Sequence, residues 1–138
     1  MASIQSGLFG VAKSTLGKFL VQLGFTTPLS KILPVKKVYE DKNVLAFHHP
    51  KPFWETHIVI VPKKSIGNLD EARDEDLEFI GRIAKVARDL VKQFELNKLG
   101  YRLLTNGGKY QKVKYLHFHL GAGKQLLVDE EGSGNSTP

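Results

Sequence analysis

The chain of 138 residues has no cysteine. That excludes a disulfide framework, a thiolate-held zinc and a thiol nucleophile. It also has no apolar run as long as a membrane span, which takes roughly 20 consecutive residues. Acidic residues are missing from the amino-terminal stretch. No Asp or Glu precedes Glu40, whereas Lys13, Lys18, Lys31, Lys36 and Lys37 all do. These lysines carry most of the formal net charge of +6. The basic excess therefore belongs to an arm rather than to the body, and it points to an anionic partner surface. With 41% hydrophobic and 25% charged residues, the rest reads as a soluble domain with one core. A cytoplasmic setting is the default expectation, with an organellar or peripheral-membrane setting as the alternative.

In the arm, residues 1–32, the segment from Ser6 to Gly24 places Phe9, Ala12, Leu16, Phe19, Leu20 and Leu23 at helical spacing. The expectation is an amphipathic helix. It can pack on the body or on a partner subunit, or lie on an anionic membrane surface through residues 6–24. It can also be an organelle presequence, although such segments favour Arg and this one has none. At the other end, residues 127–138 read as a tail rich in Gly and Ser.

The body, residues 33–126, predicts an α+β domain. Val35–Glu40 and Val44–His49 flank the polar turn Asp41-Lys42-Asn43 as a hairpin. Thr56–Pro62 is β-branched and reads as a strand stopped by Pro62. From Asp74 to Leu96, Leu77, Ile80, Ile83 or Ala84, Ala87, Leu90 or Val91, and Phe94 recur at helical spacing. Tyr101–Thr105 and Tyr115–Leu120 predict two more strands around the Asn106-Gly107-Gly108 turn. An antiparallel sheet of about five strands with a long helix on one face follows.

The chemistry concentrates in Tyr115-Leu116-His117-Phe118-His119-Leu120. On a strand, Tyr115, His117 and His119 share one face and the aliphatic residues the other. His57 on another strand can converge with them. Three readings fit imidazoles so placed. One imidazole can attack phosphorus to form a covalent phospho-histidine while a second, protonated, stabilises the oxygens. His57, His117 and His119 can hold a metal, although no carboxylate stands nearby in the pattern. Or they are tolerated core residues. Lys109, Lys112, Lys114 and Lys124 bracket the strand and favour an anion over a metal, unless they form a solvated loop. Glycine turns at Gly107-Gly108 and Gly121-Ala122-Gly123 can let backbone N–H groups approach a phosphate. On position alone, His49 reads as a loop residue, and Phe53 and Trp54 as loop anchors.

The ordered set Phe47-His48-His49, Thr56-His57-Ile58-Val59-Ile60-Val61-Pro62-Lys63-Lys64, Tyr101-Arg102-Leu103-Leu104-Thr105-Asn106, Gln111 and Leu116-His117-Phe118-His119-Leu120 resembles the histidine triad (HIT) nucleotide hydrolases and transferases. The resemblance runs from about Leu33 to Lys124. It implies a half-barrel sheet and a homodimer with a continuous sheet. It also implies a nucleotide ligand, a purine nucleotide by preference, with no cofactor, no metal and no specific nucleic acid. His117 would be the nucleophile and His119 would hold α-phosphate oxygens, with His57 beside them. Asn106 would contact the phosphate region and Gln111 the leaving group. Three positions depart from the family pattern. Tyr115 stands where the first triad histidine is expected, His49 where an acid often meets the ribose hydroxyls, and Lys112 where a serine is common near the leaving group.

Overall fold

A computed structural model describes residues 36–126. The expected amino-terminal helix and the tail lie outside them. Five antiparallel strands form one sheet in the order β1-β2-β3-β5-β4. They are β1 (Lys37–Glu40), β2 (Val44–His48), β3 (Trp54–Pro62), β4 (Tyr101–Leu104) and β5 (Phe118–Gln125). One α-helix among the described residues, α1 (Leu77–Gln93), crosses between β3 and β4.

The β1–β2 hairpin turns where expected. Asp41 Oδ1 accepts the backbone N–H groups of Asn43 and Val44, each at 2.7 Å, so the turn is closed by its own aspartate. Helix α1 is shorter than the expected Asp74–Leu96, because each end tightens into a single 3-10 turn, Asp74–Asp76 and Leu96–Lys98. Ile83, Val86, Ala87, Leu90 and Val91 form its buried face, while Leu77 and Phe94 are exposed. Gly100 then adopts φ +93°, a left-handed conformation that favours glycine, and directs the chain into β4.

The main core lies between α1 and one face of the sheet. Val44, Ala46, Ile58, Ile60, Leu120 and Ala122 point from β2, β3 and β5 towards Ile83, Leu90 and their neighbours. Alternation sends Phe47, His57, Val59 and His119 to the opposite face.

The main correction concerns β5. A strand was expected over Tyr115–Leu120, but the ladder begins at Phe118 and runs on to Gln125. Tyr115 to His117 belong to the irregular segment that enters it. That segment is held by side chains and loop carbonyls rather than by strand pairing. Leu116 N–H bonds the Ile66 carbonyl at 2.7 Å, and the Tyr115 hydroxyl reaches the carbonyls of Pro62 and Lys64 at 2.7 and 3.1 Å. Gly121 and Gly123 therefore lie inside a strand rather than in a phosphate-binding turn. Gly121 packs beneath the Trp54 indole, where an added Cβ would overlap the ring carbons. Trp54 is itself the first residue of β3 and buried, so it anchors the strand it begins.

Candidate active site

The far face of the sheet gathers four imidazoles. Val59 and His119 are direct partners across β3 and β5, and His57 is paired with Gly121, which sets His57 diagonally beside His119. The rings of His57 and His119 have centroids 5.0 Å apart, and those of His117 and His119 4.9 Å. His49 joins from the loop after β2. Its N–H bonds the His57 carbonyl at 2.8 Å, and its ring stacks on that of His57 at 4.4 Å. Position alone assigned His49 to the loop, and tertiary stacking brings it into the cluster.

Backbone partners fix where the protons sit. A peptide N–H only donates, and Phe53 N–H lies 2.9 Å from His57 Nδ1. His57 therefore carries its proton on Nε2 and donates to His119 Nδ1 at 2.8 Å. Neutral His119 in turn has its proton on Nε2, a buried atom without a partner among the described residues. Lys51 N–H likewise meets His49 Nδ1 at 2.9 Å, which leaves His49 a donor at Nε2. A carbonyl only accepts, and Tyr115 O lies 2.6 Å from His117 Nδ1. His117 is thus the opposite tautomer: Nδ1–H is tied down and Nε2 keeps its lone pair.

Burial holds this set neutral. It pushes His57 down to about 3, with the repulsion a second proton on His49 or His117 would meet acting the same way. His49 falls to about 4, for burial first and His117 second. His119 lies well below an ordinary histidine, chiefly through burial and then through His117, His57 and His49. His117 is also lowered by burial, with the Tyr115 carbonyl pulling the other way. The expected protonated second imidazole gives way to a neutral N–H donor, because a charge there would be desolvated. A neutral ring is also what a nucleophilic His117 requires.

The nitrogens that crowd together belong to His49, His57 and His119, within 4.8 Å of one another. Such spacing suits a metal, but the tautomers do not. A ligating imidazole turns a bare nitrogen to the ion and donates its other N–H to an acceptor. Here the Nδ1 atoms of His49 and His57 face backbone donors, so their Nε2 atoms are protonated. The cluster presents hydrogen-bond donors beside one bare nitrogen, an arrangement matched to an anionic electrophile.

Of the remaining expected residues, Tyr115 is tied to the cluster through its backbone carbonyl. Tyr115 is buried with its hydroxyl spent on two carbonyls, and burial pushes its phenol further above the usual range. Its contribution at His117 comes through its backbone carbonyl. Asn106 is half-buried just past β4. Gln111 donates from Nε2 to the Gly67 carbonyl at 2.7 Å, and Lys112 is exposed. Among the described residues, neither bonds an imidazole. Thr105, expected only as the end of a strand, donates its hydroxyl to the His117 carbonyl at 2.7 Å. A polar β-branched residue next to Asn106, where a strand stops, was the available signal.

Comparison with known proteins agrees with this architecture. The family model described as the HIT domain matches residues 30–126. A HIT-like protein of Buchnera aphidicola is 34% identical over 104 residues, covering 74% of this chain and 93% of that relative. The crystal structure of a HIT family hydrolase from Legionella pneumophila superposes with a TM-score of 0.65 at 36% identity, over 71% of this chain and 89% of that one. A histidine triad nucleotide-binding protein from Candida albicans gives 0.61 at 25% identity, over 80% and 82%. The chain belongs to the HIT family.

Proposed function

We propose that this chain is a nucleotide hydrolase or nucleotidyl transferase that works through a covalent nucleotidyl-His117 intermediate. The observation that carries the reading is the 2.6 Å contact between His117 Nδ1 and Tyr115 O, which leaves Nε2 as the attacking atom. Its lone pair forms a bond to the α-phosphorus as the bond to the leaving phosphate, or to the leaving amine protonated on nitrogen by solvent, breaks and that group takes the electron pair. The imidazole then bears positive charge, which strengthens the Nδ1–H bond to the carbonyl. His119 Nε2–H stabilises a non-bridging oxygen. Water next attacks phosphorus and gives up a proton to solvent, the P–N bond breaks with its electron pair returning to Nε2, and the nucleoside monophosphate leaves a neutral His117. Names among the structural relatives, a hydrolase from Legionella and a nucleotide-binding protein from Candida, support the same class.

The test is a panel of nucleoside phosphoramidates and dinucleotide polyphosphates, followed by monophosphate release and by mass spectrometry of the quenched protein. An adduct on His117, absent in His117→Ala, is expected. Turnover in which His117→Ala equals the parent would end the proposal. Exposed Lys112 would favour a more anionic leaving group. Lys112→Ser is then expected to slow polyphosphate cleavage more than phosphoramidate cleavage, and equal effects would remove this preference.

A second reading is a nucleotide-binding module of little activity, and the engaged hydroxyl of Tyr115 favours it because that phenol is not free to move protons. Nucleotide would then raise the melting temperature without turnover. The edge strand β4 favours a homodimer. It exposes Tyr101 and Leu103, and a groove of about 400 Å³ runs beside it against Ala84, Ala87 and Val91. Sedimentation of the intact chain checks this.

A further inference from the structure

His117 stands one residue outside the sheet. The last pairs of β5 are Ile60↔Phe118 on one side and Leu104↔His119 on the other, so neither ladder reaches the His117 carbonyl. A buried carbonyl without a donor is costly, and a reactive side chain on an unsecured peptide is poorly aimed. Thr105, the residue immediately after β4, supplies what the ladder does not. Its Oγ1–H meets the His117 carbonyl at 2.7 Å. The nucleophile is thereby held at two points, the ring through Nδ1 on Tyr115 O and the main chain through its own carbonyl on Thr105.

We infer that Thr105 is a positioning residue for His117, a role that rests on the reading of His117 as nucleophile. It touches no substrate. Its hydroxyl fixes the peptide from which the imidazole projects, and so sets the line along which Nε2 meets phosphorus. A valine of the same shape keeps the packing of this half-buried site but has no proton to donate. A serine keeps the donor and loses only a methyl.

The experiment compares Thr105→Val, Thr105→Ser and Thr105→Ala with the parent in the full chain. Single-turnover formation of the nucleotidyl-histidine adduct is measured alongside KM, and the His117 ring is followed by nitrogen-15 NMR without ligand. Thr105→Val is expected to slow adduct formation by about 10-fold or more with KM within about twofold, since small misplacements near an attacking atom have effects of this order. Its His117 Nδ1–H signal is expected to exchange faster with water. Thr105→Ser is expected to match the parent in both readouts, and Thr105→Ala to behave like valine.

A valine variant equal to the parent in adduct rate and Nδ1–H exchange would overturn the inference. So would a serine variant as impaired as valine, because the hydroxyl would then be irrelevant. If the parent forms no adduct with any nucleotide, the nucleotidyl reading fails, and the NMR comparison still decides whether Thr105 holds the ring. Should valine prevent folding, the serine and alanine pair decides in the same way.

Discussion

The two faces of the sheet are built from neighbouring residues of the same strands, and they are buried alike. Leu120 is 0% exposed and His119 beside it 1%. Leu120 faces α1 with Ile58 and Ile60, where each side chain removed from water contributes roughly 1.5–3 kcal/mol. His119 faces a row of imidazoles, one of its nitrogens bonded to His57 and the other without a partner among the described residues. An unpaired buried donor costs about 1–3 kcal/mol. Equal burial therefore stabilises one face and burdens the other. The folded chain sustains that burden because the apolar face carries the stability, which leaves the polar face available for chemistry.

The sharpest test of this division is His117→Ala. Loss of the proposed nucleophile is expected to lower turnover by about 10⁴-fold or more while the melting temperature stays close to the parent. A large fall in melting temperature would break the contrast. Leu90→Ala attacks the other face. It should cost about 2–5 kcal/mol in urea unfolding, with activity per folded molecule unchanged. His119→Ala is expected to lower the rate by about 10²–10³-fold, as for the loss of an oxyanion donor. It also removes the acceptor of His57 Nε2–H, so a stability loss of about 1–3 kcal/mol should accompany it. Gly121→Ala, where the new methyl meets the Trp54 indole, should destabilise by about 1–3 kcal/mol.

The mildest effect is expected from pH. The folded chain holds His49 to about 4 and His57 to about 3, both below the ordinary 6.5. Below about pH 6.5 the unfolded chain takes up protons that the folded imidazoles refuse, so stability falls with falling pH. This loss continues until the folded groups titrate, near pH 4 and 3. Urea midpoints should already decline between pH 7 and pH 5, and less steeply in His57→Gln. Flat midpoints across that interval would show that the cluster is not the burden inferred here.

Much of this division was readable from residue order. The period-two alternation in Thr56–Pro62 and in the second half of the His117–Leu120 stretch assigned His57 and His119 to one face and Ile58 and Leu120 to the other, as found. The 3.6 period marked Ile83, Ala87 and Leu90 as the buried stripe of α1. The start of β5 was misplaced because Tyr115 and Leu116 have strand-like side chains, whereas their backbone N–H groups bond the carbonyls of Val113 and Ile66 rather than a neighbouring strand. Gly121 and Gly123 were read as a turn for a related reason. Glycine marks close approach as well as reversal, and only the position of Trp54 distinguishes the two. The site was visible as a set of residue types but not as a set of protons. Which nitrogen is bare depends on Phe53 N–H, Lys51 N–H and Tyr115 O, groups that every residue carries and no sequence pattern reveals.

The peptide nitrogen of Phe53 has a wider effect than its one hydrogen bond. A side-chain donor can rotate, ionise or trade places with an acceptor, whereas an amide in the main chain has a single polarity. Every arrow from Phe53 through His57 to the far edge of His119 runs one way for that reason. Position 53 is thus constrained through its backbone: nearly any side chain there would transmit the same order, while proline, which has no hydrogen to give, would free both rings to reverse.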